Sequence, residues 1–187
     1  MNVKDMLRQA SDAAKQLITL SDQTIIGILK ETAQVLRTHT EEVLAANRQD
    51  LERMDPANPK YDRLKLTEER LQGIAADMEN VSTLPSPLNK VLSETIRPNG
   101  MVIRKVTVPF GVIGVIYEAR PNVTFDVFSL CFRSGNVCVL KGGSDADFSN
   151  RALVRIIHSV LERQGINPAV CTLLPPDREA TAELLGA

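Results

Sequence analysis

The sequence predicts an α/β fold that combines an amino-terminal helical segment, a β-hairpin and a parallel sheet. Apolar residues recur at three- and four-residue steps through residues 1–84, which is the pattern of amphipathic helices. A Pro-Asn-Gly turn at residues 98–100 separates two β-rich runs, and from residue 111 onward short apolar strands alternate with helical segments. Such alternation is typical of a parallel sheet with right-handed crossovers.

Four helices are predicted in residues 1–84. Ser21 is placed to cap the second helix, and Thr67 is placed to cap the fourth. Thr38 followed by Glu41 has the spacing of a capping box, so we expect the third helix to begin at Thr38. No pattern of catalytic or ligand-binding residues accompanies these helices, and they are expected to support the rest of the chain.

Residues 91–108 are predicted to form a hairpin. Val91 to Arg97 and Met101 to Val108 are the two strands, and Pro98-Asn99-Gly100 forms the turn between them. Apolar and polar residues alternate in the second strand, as in an exposed ribbon. Because a lone two-stranded ribbon is only marginally stable in water, we expect it to act as an oligomerisation arm that packs on another subunit.

Residues 111–187 are predicted to form a βαβαβ unit that ends in a further helix. Val112 to Ile116 and Val137 to Leu140 have the composition of buried strands. The remaining predicted elements follow them in order: a helix from Thr124 to Arg133, a long helix from Asp145 to Gln164, a third strand from Val170 to Leu174 and a final helix from Arg178 to Leu185.

Composition argues against several classes of partner. The net charge is -1 and the chain has no Trp, so neither electrostatic attraction to nucleic acid nor base stacking is expected. Three Cys without a Cys-x-x-Cys pair indicate neither a disulfide framework nor a metal site. No apolar run approaches the roughly 20 residues that span a bilayer, and no signal peptide is visible. We therefore expect a cytoplasmic protein that acts on a small molecule.

Two polar turns follow consecutive strands of the predicted sheet. They are Glu118–Asn122 and Lys141–Asp145, at the strand ends where open α/β sheets bind ligands. In the second turn, two glycines allow close approach, Lys141 adds a positive charge, Ser144 adds a hydroxyl, and the following helix start offers peptide N–H groups. These features suit a nucleotide ribose or phosphate. An ordinary βα turn is the alternative, because neither G-x-G-x-x-G nor a Walker A sequence is present.

Residues 109–124, Pro-Phe-Gly-Val-Ile-Gly-Val-Ile-Tyr-Glu-Ala-Arg-Pro-Asn-Val-Thr, resemble the signature of the γ-glutamyl phosphate reductase family, within the aldehyde dehydrogenase superfamily. Ser134-Gly135-Asn136 and Lys141-Gly142-Gly143-Ser144 follow at matching intervals. Ala46-Asn47 with Asp50 is similar to the family's amino-terminal helices. The resemblance covers nearly the whole chain and implies an aldehyde dehydrogenase-like fold with a partial Rossmann-like sheet.

The resemblance implies a reaction and a cofactor. Family members use NADPH to reduce L-glutamyl 5-phosphate to L-glutamate 5-semialdehyde and phosphate, a step of proline biosynthesis. A cysteine thiolate attacks the acyl phosphate, and hydride then reduces the thioester. A thiolate suits this reaction because it is both a strong nucleophile and a competent leaving group.

The resemblance also assigns roles to residues of the two turns. Asn122 matches the asparagine whose amide stabilises the oxyanion of the reaction. Lys141 matches the lysine that contacts the adenosine ribose or its 2′-phosphate, and the cofactor loop continues through Gly142, Gly143 and Ser144. By its charge alone, Arg120 is a candidate to face the phosphate or carboxylate of the substrate.

The family's catalytic cysteine is expected after position 187, and Cys171 precedes that place without its flanking pattern. The resemblance therefore implies an incomplete amino-terminal nucleotide-binding domain, without a catalytic domain, that does not turn over substrate alone. A non-catalytic NADP-binding or assembly fragment is the alternative, in which a homo-oligomer forms through the hairpin.

Overall fold

The computed structural model describes residues 2–187, and this part of the chain has the predicted α/β architecture. The helical segment comprises α1 (Val3–Leu17), α2 (Asp22–Thr38), α3 (Thr40–Leu51), α4 (Tyr61–Leu64) and α5 (Glu68–Thr83). The hairpin consists of β1 (Val91–Ile96) and β2 (Val102–Val106). The carboxyl-terminal unit contains β3 (Val112–Ile116), α6 (Asn122–Arg133), β4 (Val137–Lys141), α7 (Asp147–Arg163), β5 (Cys171–Leu173) and α8 (Arg178–Leu185).

Two of the three predicted helix caps are confirmed. The Ser21 hydroxyl accepts the Thr24 N–H at 3.1 Å, and the Thr67 hydroxyl accepts the Arg70 N–H at 3.1 Å. The predicted start of the third helix at Thr38 is wrong, because α2 continues through Thr38. The Thr38 hydroxyl donates to the Val35 carbonyl at 2.9 Å, within its own helix, and so it is not available to cap α3.

The parallel sheet has the strand order β3-β4-β5. The central strand β4 is completely buried, as predicted. The prediction of a buried β3 is wrong, because Val112 is 39% exposed and Ile116 is 48% exposed. Within residues 2–187, β3 pairs only with β4 and therefore lies at an edge of the sheet. Its residues alternate between exposed and half-buried, and Ile113 on the half-buried side packs against the core.

Helices cover both sides of β4. The elements α1 and α6 contact β4, and α7 contacts β5. The α6 side chains Phe125, Phe128 and Phe132 are fully buried, and burying each aromatic ring contributes about 1.5–3 kcal/mol. This burial fixes the axis of α6 against the sheet, and with it the position of the loop that precedes α6.

Three boundaries in the carboxyl-terminal unit differ from the sequence prediction. Helix α6 begins at Asn122, two residues before the expected Thr124, so Asn122 lies in the first helical turn. A 3₁₀ turn at Ser144–Ala146 precedes α7, and another at Pro168–Val170 shortens the third strand. In residues 2–187 no helix has both the length and the apolar character that a membrane crossing requires.

Candidate functional site

The two predicted turns adjoin at the carboxyl edge of the sheet. Ile116 of β3 is the register partner of Lys141 of β4, and the Tyr117 N–H donates to the Lys141 carbonyl at 3.1 Å. Beyond the strand ends, a Cβ atom placed on Gly143 would lie 3.8 Å from the backbone of Glu118. The loop after β3 and the loop after β4 are therefore in contact.

Lys60 lies beside both loops. Its Nζ atom is 3.8 Å from the Glu118 carboxylate and 4.0 Å from the Asp145 carboxylate. These three side chains are exposed, and exposed pairs of this kind contribute at most about 1 kcal/mol. The contact shows that the two loops share one surface, and backbone pairing accounts for their adjacency.

The side chain of Lys141 points toward the loop after β5. It is 6% exposed, and its Nζ donates to the Gly142 carbonyl at 3.1 Å and to the Pro176 carbonyl at 3.2 Å. An ammonium group has three N–H donors, so one remains for a ligand. The two carbonyls orient this buried charge at the sheet edge.

The glycines of the second loop have different environments. Gly142 is buried, and a Cβ atom there would lie only 2.3 Å from Nδ2 of Asn150. Gly143 is half-buried and Ser144 is exposed. The absence of a side chain at position 142 is thus required by packing inside the protein, whereas Gly143 and Ser144 form the accessible part of the predicted cofactor loop.

A buried chain of hydrogen bonds lies beneath the two loops. The Tyr117 hydroxyl is 2.7 Å from the Thr124 hydroxyl, which donates to Oδ1 of Asn150 at 3.0 Å. Burial raises the pKa of the Tyr117 phenol, which therefore stays protonated as a donor to Thr124. Because Asn150 also contacts Gly142, this chain links the loop after β3 to the loop after β4.

Sequence reasoning missed Tyr117, Thr124 and Asn150. Thr124 and Asn150 lie in the first turns of α6 and α7, where hydroxyl and amide side chains are common for local reasons. No spacing in the sequence connects the two positions. Their partnership arises only because β3 and β4 are neighbours in the sheet.

The start of α7 is already occupied by a carboxylate from α3. Asp50 has no exposed side-chain surface, and its oxygens accept the Phe148 N–H at 3.2 Å and the Ser149 N–H at 2.8 Å. Two of the peptide N–H groups at this helix start, those of Phe148 and Ser149, are therefore not open to an anionic ligand. The negative charge that complements the α7 helix dipole is the carboxylate of Asp50.

Asn47 connects the same helix start to the segment before α5. Its amide nitrogen donates to the Ser149 hydroxyl at 3.0 Å and to the Leu64 carbonyl at 2.9 Å. Its Oδ1 atom accepts the Leu66 N–H at 2.8 Å. Asn47 and Asp50, which the family resemblance singled out, thus hold α3, the α4–α5 connection and α7 together.

Arg120 and Asn122 line a cavity of about 390 Å³ between the start of α6 and the region around α4 and α5. The Asn122 amide donates to the Asp126 carboxylate at 3.1 Å, one helical turn later. Burial raises the pKa of Asp126, although this hydrogen bond opposes the effect. Lys141 does not line this cavity. From the sheet edge that the two loops share, Arg120 and Asn122 face α5, whereas Lys141 points toward the loop after β5.

The three cysteines are buried and form no disulfide. The hydrogen bond with Cys138, together with burial, raises the pKa of Cys131. For Cys138 a hydrogen bond with Cys131 lowers the pKa, but the hydrogen bond with Cys171 and burial outweigh it and raise the pKa overall. These two thiols are protonated at neutral pH. In residues 2–187 no group of three His, Cys, Asp or Glu side chains is arranged to hold a metal ion.

The chain has an aldehyde dehydrogenase-like fold. The structure superposes on a probable aldehyde dehydrogenase from Listeria monocytogenes EGD-e with a TM-score of 0.75 at 17% identity, over 99% of this chain and 39% of that one. It superposes on γ-glutamyl phosphate reductase from Thermotoga maritima with a TM-score of 0.94 at 31% identity, over 99% of this chain and 46% of that one.

Sequence comparison gives the same result at higher identity. The chain is 63% identical over 185 residues to a γ-glutamyl phosphate reductase of Azobacteroides pseudotrichonymphae, covering 99% of this chain and 44% of that protein. It is 61% identical over 186 residues to a γ-glutamyl phosphate reductase of Bacteroides thetaiotaomicron, covering 100% of this chain and 45% of that protein. No protein-family model matches.

By sequence and by fold, the chain corresponds to the amino-terminal part of the γ-glutamyl phosphate reductases. It spans a little under half the length of these relatives.

Proposed function

We propose that this chain supplies the cofactor-binding loop and the oxyanion-binding asparagine of a γ-glutamyl phosphate reductase. The reaction is the reduction of L-glutamyl 5-phosphate by NADPH to L-glutamate 5-semialdehyde and phosphate. The observation that carries this proposal is the contact between the Asn122 and Lys141 loops at one carboxyl edge of the sheet, in a chain 63% identical to a named reductase.

The loop after β4 fits the adenosine ribose of the cofactor. Lys141 keeps one N–H free, and the Ser144 hydroxyl is exposed three residues later in the same loop. The peptide N–H groups of Phe148 and Ser149 are already paired with Asp50, so these two groups do not add to ligand binding. We therefore assign ribose hydroxyls to Lys141 and Ser144; the bound nicotinamide supplies the hydride.

The loop after β3 fits the reacting acyl group. The Asn122 amide has two N–H donors, and Asp126 accepts one of them, which fixes the amide plane and leaves the other for the acyl oxygen. A preorganised donor of this kind stabilises negative charge as it develops on that oxygen. Arg120 is exposed in the same cavity and offers a guanidinium for a phosphate or carboxylate.

The described chain does not offer a suitable nucleophile for this reaction. A thiolate must be accessible and deprotonated to attack an acyl phosphate, whereas Cys131, Cys138 and Cys171 are buried. We therefore expect cofactor binding without turnover. The measurement is NADPH consumption in the presence of a glutamate kinase, ATP and L-glutamate; activity that disappears in Cys171→Ala but persists in Cys131→Ala would refute this expectation.

Lys141→Ala tests the cofactor assignment. Removing a charged hydrogen-bond donor to the ribose costs about 1.5–3 kcal/mol, so we expect the Kd for NADPH in isothermal titration to rise roughly ten- to hundredfold. Lys60→Ala is the matched control, because it removes an exposed ammonium group beside the same loops without an assigned ligand contact. Equal affinity in wild type and Lys141→Ala would contradict the assignment, provided that circular dichroism shows the fold intact.

A second role in assembly is favoured by the hairpin. Every residue of β1 and β2 is exposed, and the ribbon has large apolar side chains on its surface, among them Val91, Leu92, Ile96, Val102 and Ile103. An isolated two-stranded ribbon with this much exposed apolar surface is expected to pack against a partner. We propose that the partner is a second copy of the protein.

A further inference from the structure

The cavity beside Asn122 has charged groups of both signs in its wall. Arg70 is not available to a ligand, because its guanidinium donates to the Asp62 and Lys65 carbonyls at 2.6 Å and to the Asp62 carboxylate at 3.1 Å. The pair of Arg70 and Asp62 therefore holds the segment between α4 and α5 in place. Both residues line the cavity, and their pairing leaves the other charges to act on a ligand.

Four further charged side chains in the wall have no ionic partner. Arg63, Lys65 and Arg120 contribute three positive charges, and Asp77 of α5 contributes one negative charge. None of the four is within 4.0 Å of an opposite charge in the described chain. All four are exposed to solvent within a cavity of about 390 Å³, a size typical of small-molecule sites.

Asp77 also has a carboxylate neighbour on α6. The charge of Asp77 adds to burial in raising the pKa of Asp126. Asp126 in turn accepts a hydrogen bond from the Asn122 amide. Two carboxylates, Asp77 and Asp126, thus influence each other between α5 and α6 next to the group proposed to bind the acyl oxygen, and a cation placed there would relieve the repulsion.

We propose that this cavity recognises the free α-amino-acid end of the substrate and that Asp77 binds its α-ammonium group. The inference rests on the proposed function, because it places the acyl carbon at Asn122. L-Glutamyl 5-phosphate has one cationic group and two anionic groups. The cavity matches this pattern, with Asp77 for the ammonium, Arg63 and Lys65 for the α-carboxylate and Arg120 for the phosphate.

This arrangement makes the site selective for substrates with a free amino group. An N-acylated glutamyl phosphate has the same carboxylate and phosphate but replaces the ammonium with a neutral amide. Bound in the same pose, it would leave Asp77 without a counter-charge next to Asp126. Specificity against it would come from this unpaired carboxylate.

The experiment uses two unreactive probes and the full 187-residue chain. The first is the phosphonomethyl ketone analogue of L-glutamyl 5-phosphate, in which a methylene group replaces the bridging oxygen. The second is the same compound without its amino group. Isothermal titration gives the Kd of each probe, and we expect the amino-bearing probe to bind on the order of tenfold more tightly, a difference of about 1.4 kcal/mol.

Asp77→Asn isolates the proposed contact. This variant should bind both probes with equal affinity, because it keeps the size of the side chain and removes its charge. Asp62→Asn is the matched control, since Asp62 lies in the same cavity but is paired with Arg70, and it should keep the tenfold preference. Arg63→Gln should weaken both probes by a similar factor, because both have the carboxylate.

The outcomes separate this inference from the proposed function. A preference that survives in Asp77→Asn, or wild-type chain that binds neither probe or does not distinguish them, overturns the assignment of Asp77. The cofactor assignment is tested independently by NADPH titration of Lys141→Ala without either probe. Probe selectivity without NADPH binding would leave the α-ammonium site standing and refute the cofactor site.

Discussion

Gly142→Ala should destabilise the protein strongly, although it adds only one methyl group. The new Cβ would lie 2.3 Å from Nδ2 of Asn150 and 3.4 Å from Cζ of Tyr117. Favourable contacts between heavy atoms occur at about 3.5–4.0 Å, so the Asn150 amide would have to move by roughly 1 Å. Asn150 is 1% exposed and accepts the Thr124 hydroxyl, so this movement breaks a buried hydrogen bond.

The size of the stability loss in Gly142→Ala follows from the steric overlap and the broken hydrogen bond. Overpacking a buried site costs about 1–3 kcal/mol, and losing the buried hydrogen bond adds about 1 kcal/mol. We therefore expect a loss of about 2–4 kcal/mol in the free energy of unfolding. For a chain of this size that corresponds to a decrease in Tm of about 4–16 °C. The assay is urea and thermal unfolding followed by far-ultraviolet circular dichroism.

Gly143→Ala is the control in the neighbouring position. Its added Cβ would have its nearest contact at 3.8 Å, and Gly143 has φ = −75°, which every residue adopts easily. A tolerated Gly-to-Ala change stabilises by about 0.4–1 kcal/mol through the unfolded chain, so its Tm should stay the same or rise. If the two variants melt at the same temperature, the packing argument for Gly142 is refuted.

Three further predictions concern stability and assembly. Asp50→Ala leaves the Phe148 and Ser149 N–H groups without an acceptor and should cost about 2–4 kcal/mol in urea unfolding. The control is Asp147→Ala at the same helix start, which removes only the pair between a half-buried carboxylate and the exposed Arg151 and should cost under about 0.5 kcal/mol; similar losses would argue against the Asp50 cap. The hydrogen bond from Arg37 lowers the pKa of Glu79 below its ordinary 4.5, so the stability it adds is present above that value and is lost as pH falls through the lowered pKa. Glu79→Gln should therefore lower Tm at neutral pH, and the difference from wild type should shrink as the pH falls below 4.5. A pH-independent difference would exclude this ion pair as the cause. Ile103→Lys on the exposed hairpin should shift the mass measured by light scattering at high concentration toward that of the monomer, whereas the control Lys105→Arg should leave it unchanged. A wild-type chain that is already monomeric would contradict assembly through the hairpin.

Local elements were predictable because their signals lie close together in the sequence. The Ser21 and Thr67 caps act within three residues, and the Pro98-Asn99-Gly100 turn closes a hairpin of adjacent strands. The Thr38 cap failed because a hydroxyl has competing acceptors in the preceding helical turn. The order of the carboxyl-terminal elements was also predictable, since alternating strands and helices leave few topologies.

The residues that organise the candidate site were not predictable in the same way. Asp50 and Ser149 are 99 positions apart, and no local pattern indicates that one caps the helix of the other. The burial of Lys141 depends on Pro176, which lies beyond the whole of α7. The cavity around Asp77 exists only where α5 packs on α6.

The sequence by itself determined the order of the hairpin, the three parallel strands and all the helices except the short α4, because hydrophobic periodicity and turn chemistry act over a few neighbouring residues. It also determined the family likeness, through the motif at residues 109–124. The tertiary structure alone decided that β3 lies at a sheet edge, that a carboxylate from α3 fills the start of α7, and that Arg120 and Lys141 face different sides of the shared edge. These features depend on which distant segments become neighbours when the core packs, and that information is distributed over the whole chain.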